Sequence, residues 1–423
     1  MGRVLTLDDV KVDGMTVLLR VDINSPLDPA SGAFLDTSRI KGILPTITRL
    51  IKAKTVMLTH QSRPGKDDFT TTHGHSRELG RLLGRPVKWV EDIHGDAALA
   101  AIELLQDGEI LMLNNVRMDD EEFSRSKDSF EELTDSLMVT RLAGVADLFV
   151  YDAFACAHRN SPSITGFTHV LPCVAGELMR KEIDALQGTA RNPERPSIAV
   201  LGGIKVDDSI AVADNMLRNG SIDAVWATGG VANLFLSFAG HDPGDISLDF
   251  LAAELKGEWL PTVETARKLY EDYSGVIHLP VDVAANVAGN RLDLNVENLP
   301  IDAPILDLGV QSTINLSQAI RAAGTVILNG PAGVFEDNNF AFGTVEMLNA
   351  CAETEAFVVI GGGHTATLIS KKGMTHRMGH VSTGGGACLD FLAGKTLPAV
   401  ASLETSAQEF GVRILSEIEV GNE

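Results

Sequence analysis

Apolar residues in this chain come in short runs separated by longer amphipathic stretches, and that alternation predicts the fold. The runs TVLLRV (16–21), TVMLT (55–59), PVKWV (86–90), EILML (109–113) and DLFVY (147–151) read as strands buried on both faces. Between them the spacing predicts helices over 37–54, 76–83, 96–106 and 128–143. Another helical pattern covers 174–190, with apolar positions at Leu178, Ile183 and Leu186, and the polar stretch RNPERP follows it. A second series begins at IAVL (198–201) and continues through AVWAT (224–228), VIHLP (276–280), TVILN (325–329) and AFVVI (356–360). Its helices are predicted over 207–219, from Val231 and over 312–323, with Gly220 and Gly324 placed to end two of them in a left-handed residue. Strand and helix in strict alternation predict an α/β protein of two doubly wound, Rossmann-like parallel-sheet domains joined by a hinge helix. The expected divisions are 1–173, a connecting helix and linker over 174–196, 197–398, and a segment 399–423 with helical character near Thr405–Phe410.

Composition narrows the class. A chain of 423 residues exceeds what one core serves, which favours two domains. No apolar run approaches the ~20 residues of a membrane helix, and the opening MGRVLTLDDV lacks the apolar core of a secretory signal. A cytoplasmic protein without a membrane partner is expected. Cys156, Cys173, Cys351 and Cys388 are scattered with no CxxC pair, as reduced, buried thiols would be. A formal net charge of -22 argues against nucleic acid as a partner, and it makes any local cluster of cations informative.

Such clusters stand where a parallel sheet binds ligands, past the carboxyl ends of its strands. Asp22 and Asn24 follow the first run, His60 and Arg63 the second, Asn115 and Arg117 the run EILML, and Asp152, His158 and Arg159 the run DLFVY, with Arg39 opening the first helix. A lone loop arginine is ordinarily a solvated charge; cations repeated at successive strand ends predict an anion site. The second half is different. Twelve of the 40 glycines lie before residue 170, and the other 28 gather at strand ends such as Gly202-Gly203, Gly229-Gly230, Asn329 to Gly333, Gly361 to Gly363 and Gly384 to Gly386. In SIAVLGGIKVDDS (197–209) a strand breaks at two glycines and passes Lys205 into a helix. That stretch is either an ordinary βα turn or a phosphate seat built from unpaired backbone N–H groups and a mobile charge. The halves thus divide into a small-anion domain and a nucleotide domain.

Walker A, GxGxxG, HRD, DFG and GxSxG patterns are all absent, which excludes the common P-loop, dehydrogenase, protein-kinase and serine-hydrolase designs. What remains suits phosphoryl transfer, which needs positioning and charge neutralisation more than covalent help. A carboxylate acceptor, already an anion, would need no general base.

The blocks LLRVDINSPL (18–27), LTHQSRP (58–64), LNNVRMDDEE (113–122), VYDAFACAHR (150–159), AVLGGIKVDD (199–208), ILNGPAGVFED (327–337), VVIGGGHTA (358–366) and HVSTGGGACLDFLAGKTLP (380–398) resemble, in order and spacing, the phosphoglycerate kinases, across nearly the whole chain. The resemblance implies reversible phosphoryl transfer between MgATP and the carboxylate of 3-phosphoglycerate, giving 1,3-bisphosphoglycerate and ADP. It implies a phosphoglycerate site of Asp22, Asn24, Arg39, His60, Gln61, Ser62, Arg63, Arg117 and Arg159, with Arg39 facing the transferred group. The nucleotide site it implies comprises Gly203, Lys205, Gly230, Asn329, Pro331, Glu336 on the ribose, and Gly361, Gly362, Gly363, His364 and Thr365. Gly384, Gly385 and Gly386 match the helix start that stabilises the group in transit, with Arg39, Lys205, Gly385 and Gly386 in the catalytic role. Magnesium is expected to arrive on the nucleotide, without dedicated protein ligands, and a monomer is expected. Three departures resemble the archaeal branch: Ser209 in place of a second lysine, GGGHT in place of GGGDT, and THQSRP in place of SHLGRP. A non-catalytic sensor of phosphorylated metabolites and another carboxylate kinase are the alternative readings.

Overall fold

The computed structural model describes the backbone of residues 2–28 and 30–420, and within them all side chains except those of 364 and 412–420. The chain divides into two compact units. One comprises the residues up to Ile183 together with those from Thr396 onward; the other is the continuous stretch Asp184–Lys395.

The first unit is built on β1 (Thr16–Val21), β2 (Lys54–Leu58), β3 (Lys88–Trp89), β4 (Ile110–Met112), β5 (Leu148–Asp152) and β6 (Cys173–Ala175). They form one parallel sheet in the order β3-β4-β2-β1-β5-β6, so the order reverses between β1 and β5. Central strands are buried along almost their whole length, which explains their continuous apolar runs. The core gathers Val17, Leu19, Ile40, Ile47, Met57, Leu79 and Val150, with Ala407 and Phe410 of the returning C-terminal helix packed against it. That helix, Pro398–Val420, is tied down by Ala399 N–H to Ala157 O (3.1 Å), Cys173 N–H to Ser406 Oγ (2.9 Å) and a 2.6 Å hydroxyl bond between Thr168 and Ser402.

The second unit repeats the design with β7 (Ser197–Leu201), β8 (Ala224–Ala227) and β9 (Ile277–His278), then β13 (Thr325–Asn329), β14 (Phe357–Gly361) and β15 (His380–Val381). Its parallel order, β15-β14-β13-β7-β8-β9, reverses between β7 and β13. Between β9 and β13 the chain forms a separate antiparallel sheet of β10 (Asp282–Val287), β11 (Asn290–Asn295) and β12 (Ile305–Leu308).

Several elements differ from the sequence expectation for identifiable reasons. The helix expected over 37–54 is two short helices, Ser38–Gly42 and Leu44–Arg49, broken where Pro45 lacks an N–H and constrains the residue before it. The polar helix expected over 128–143 is Phe130–Leu133 and Leu137–Ala143, because Ser129 and Ser136 each cap a new start. PVKWV contributes only two strand residues, as the sheet edge. Gly220, at φ 72°, ends its helix in a Schellman motif, donating to Leu217 O while Ser221 donates to Met216 O. Gly324 is no such cap. It is glycine because a Cβ there would come within 2.8 Å of the Glu194 backbone.

Candidate active site

In the first unit the candidate site lies at the carboxyl ends of β1, β2, β4 and β5, around the reversal of strand order. Asp22 closes β1, accepts from Asn24 N–H (3.0 Å) and is ion-paired with Arg39. Burial opposes its charge, yet His60, Arg39, the Asn24 N–H and Arg20 outweigh burial and hold its pKa at about 2. Burial pushes His60 itself well below the usual imidazole range, so at neutral pH the arginines carry that effect.

Arg20 was not a sequence candidate, because an arginine inside an apolar run reads as an edge charge. It is buried and organises the site. Its Nε donates to Ser163 Oγ (3.0 Å), and its Nη2 lies 3.3 Å from His60 Nδ1. An arginine can only donate, so His60 Nδ1 accepts and the ring proton sits on Nε2. Buried Glu122 fixes the far end, accepting from Ser161 Oγ (2.8 Å), Ser163 Oγ (2.6 Å) and Ser163 N–H (3.1 Å). Asp22, His60 and Cys156 place their donor atoms within 4.8 Å of one another. With Arg20 on His60, Arg39 on Asp22 and Arg117 and Arg159 acting on the same ring, the field favours an anion there over a cation.

The remaining candidates sort by their bonds. Asn24 Oδ1 accepts from Ser62 N–H (2.9 Å), and Ser62, at φ 55°, turns its carbonyl to the Arg117 Nη1. Burial, with Arg159 nearby, brings Arg117 down to about 10, which leaves it charged. Arg63 and Arg159 are exposed. Gln61 is fully buried and spends its amide on protein: it accepts from Ser25 N–H (3.2 Å), donates to Ser25 O (3.0 Å) and lies 2.9 Å from His75 Nε2. It braces the Asn24 loop and offers nothing to a ligand. Asn115 does likewise for the β2 end, donating to Gln61 O and Thr70 O at 2.8 Å each. Asp152 is also taken. It accepts from Thr46 Oγ1 (2.6 Å) and from Met179 N–H (2.9 Å), so it caps the helix Glu177–Arg191.

In the second unit the candidate residues meet at the reversal between β7 and β13. Gly202 N–H donates to Asn329 O (2.8 Å), Gly203 N–H to Pro331 O (2.9 Å) and Gly230 N–H to Gly203 O (3.0 Å). A Cβ on Gly202 would stand 2.2 Å from Thr228 Oγ1, and one on Gly330 2.3 Å from Gly202 O. These glycines let three strand-end loops interlock, and the N–H groups of Gly202, Gly203 and Gly230 are occupied. The next turn differs: the helix Val206–Arg218 begins after Lys205 with no side-chain cap on its first N–H groups. Lys205 is exposed. Ser209, where the resemblance leads one to expect a lysine, is buried and accepts from Asn329 Nδ2 (3.1 Å). The helices Gly229–Phe238 and Gly363–Lys371 likewise start without side-chain caps. The Thr365 hydroxyl, buried in the first turn of the latter, has no partner among the described residues. The His364 side chain lies outside the described residues. Glu336 is exposed on the loop after β13, and Gly385, at φ 50°, leads open-sided into the short helix Gly386–Leu392.

Known proteins resemble this chain in sequence and in fold. Residues 7–395 match the family model described as phosphoglycerate kinase. A protein named phosphoglycerate kinase from Methanothermobacter thermautotrophicus is 46% identical over 403 residues, spanning 95% of this chain and 97% of its own. Another of that name, from Methanocorpusculum labreanum, is 45% identical over 406 residues, 96% and 99% of the two chains. The crystal structure of phosphoglycerate kinase from Pyrococcus horikoshii OT3 superposes with a TM-score of 0.86 at 39% identity, covering 96% of this chain and all of that one. Fold and relatives together define an α/β phosphotransferase. The chain belongs to the phosphoglycerate kinase family. No helix among the described residues is long and apolar enough to cross a membrane.

Proposed function

We propose that the first unit holds 3-phosphoglycerate and the second holds the nucleotide of a reversible phosphoryl transfer between ATP and the phosphoglycerate carboxylate. The observation that carries the placement is the linked set Asp22, Arg39, Asn24, Ser62 and Arg117 at the β1–β5 reversal, with Arg159 beside it. A substrate bearing both a phosphate and a carboxylate needs several cations, whereas a plain carboxylate is served by about one bidentate arginine. In this reading Asp22 and neutral His60 orient the glycerate end, Arg117, Arg159 and Arg63 take the phosphate, and Arg39 neutralises the group in transit. The acceptor carboxylate attacks the γ-phosphorus directly and the bond to the ADP oxygen breaks, so no base takes part.

On the nucleotide side Lys205 and the N–H groups at the start of Val206–Arg218 meet the phosphates. The uncapped start of Gly363–Lys371 and the Thr365 hydroxyl support a further phosphate contact. Asp207 and Asp208, in that first turn of Val206–Arg218, are hard oxygen donors of the kind Mg²⁺ accepts. When bound, the ion would neutralise charge on the nucleotide's phosphates. The helix Glu177–Arg191, within which the chain divides into its two units, is the proposed hinge. Four free, buried cysteines suit a reducing cytoplasm, and the chain is read as a monomer. A coupled assay of ATP consumption tests the reading. Turnover should require both 3-phosphoglycerate and magnesium, and Arg39→Ala should lower kcat at least a hundredfold. Tight binding of both ligands without turnover would overturn it.

A further inference from the structure

The loop that presents Glu336 is held by parts of the antiparallel sheet that the activity does not itself require. Val334 N–H donates to Leu306 O (2.8 Å), and Thr344 Oγ1 accepts from Ala332 and Gly333 N–H at 3.1 Å each. Beneath the loop lies Asp307 of β12, 3% exposed. Its Oδ2 accepts from Gly343 N–H (3.0 Å) and Arg291 Nη1 (2.9 Å). Its Oδ1 is buried with no partner among the described residues. That oxygen faces two glycines, since a Cβ on Gly333 or on Gly343 would come within 2.4 Å of it.

Arg291 of β11 completes the clamp. The same Nη1 donates to Asn339 O (2.9 Å), Nη2 donates to Leu308 O (2.8 Å), and Asp293 receives a bidentate pair at 2.9 and 3.0 Å. Its guanidinium also lies 6.0 Å from the Phe340 and Phe342 rings. One planar cation thus holds the segment Gly333–Gly343 at Asn339 directly and at Gly343 through Asp307, whose other oxygen packs close against Gly333. Glu336 sits between these points, in a turn closed by Asp337 N–H to Val334 O (3.1 Å).

We propose that Arg291 and Asp307 are positioning residues for nucleotide selection: they fix the loop so that Glu336 meets the sugar hydroxyls of ATP. The inference rests on the reading of Glu336 as the ribose contact. A carboxylate on a flexible stem discriminates a hydroxyl only if its backbone is already ordered, because ordering loop and side chain on binding costs more than the hydrogen bonds return. Lysine cannot replace Arg291, since a single ammonium cannot reach Asp307, Asn339 and Leu308 together.

The test compares ATP with 2′-deoxy-ATP and 3′-deoxy-ATP in Arg291→Ala, Arg291→Lys, Asp307→Asn and Glu336→Ala, with phosphoglycerate kinetics measured in parallel. In Arg291→Ala and Asp307→Asn, KM for ATP should rise about tenfold, and the preference for ATP over at least one deoxy analogue should fall at least fivefold. KM for phosphoglycerate should stay within twofold. Arg291→Lys should lie between these variants and the unaltered protein, and it carries the test if Arg291→Ala does not fold. If Glu336→Ala keeps the full preference for ATP, the ribose reading fails. If Glu336→Ala loses the preference while the Arg291 and Asp307 variants keep it, the positioning inference fails on its own. Equal losses toward both substrates would mean a purely structural role and also overturn it.

Discussion

Lys205 and Ser209 show how much one position decides. A lysine at 209 would project from the helix that also carries Lys205, but here the position is buried and its hydroxyl holds the Asn329 amide. Asn329 in turn presents Oδ1 toward Gly362, 2.7 Å from where a Cβ would stand. Ser209 therefore orders two neighbouring loops, and in the proposed function the charge it lacks falls to Lys205 and the helix N-terminus. Lys205→Ala should accordingly lower kcat by more than tenfold, above about 1.4 kcal/mol of barrier, when measured at saturating substrates. A smaller loss would show that the load is carried elsewhere. At this scale the sequence was legible where position follows from the strand pattern: the loop arginines and paired glycines do lie at the carboxyl ends of the strands. It was illegible for Arg20, Glu122 and Gln61. A charge in an apolar run, an acid within DDEE and a loop amide all look solvated until burial is known. For the glycines the structure supplies a reason that the sequence did not, the close approach of neighbouring loops.

Helix starts explain a second class of surprises. Val310–Ala322 and Glu177–Arg191 both begin just after a glycine and are capped from another strand. Asp282 accepts from Gln311 N–H (2.9 Å) and Ser312 N–H (2.7 Å), and a Cβ on Gly309 would collide with it. Asp152 does the same for Glu177–Arg191 beside Gly176. Asp307, bonded to Gly343 in the first turn of Phe342–Glu353, follows the same pattern. A cap delivered from a distant strand leaves no local Ser-x-x-Glu signal, so periodicity found the first two of these helices but not what closes them, and Phe342–Glu353 was not predicted at all. The strands survived translation from sequence best, because burial on both faces demands continuous apolar runs. The antiparallel sheet did not, since Asn290–Asn295 is mostly exposed and polar.

Asp152 also yields a prediction of sign. Burial raises its pKa from 3.8 to about 6, so the folded state binds a proton that the unfolded chain has already released. The stability it contributes is full below its ordinary pKa and is lost as pH rises through about 6. Between pH 4 and 7 the unaltered protein should lose on the order of 3 kcal/mol relative to Asp152→Asn, read from denaturant midpoints across that range. Parallel curves for the two proteins would refute the assignment.

For the whole molecule, charge and connectivity matter most. A net charge of -22 surrounds a site that must attract anions, so the arginine cluster works against the overall field. KM for phosphoglycerate should therefore depend on ionic strength mainly through that local cluster, and less than for a protein whose whole surface is basic. The division of the chain is unequal in another respect. Asp184–Lys395 is continuous, whereas the first unit needs residues from both ends of the sequence. Expressed alone, 184–395 should fold cooperatively, judged by a sharp denaturation transition. Residues 1–183 should do so only when 396–420 is supplied.

That closing helix has a consequence for synthesis. Cys173 and Thr168 wait for Ser406 and Ser402, which are translated only after the whole second unit. The first unit, though begun first, is completed late: Cys173 of β6 and its partner Ser406 are 233 positions apart in the chain. The helix Pro398–Val420 thus sets the order of maturation: the first unit closes only after the whole of the second has been translated.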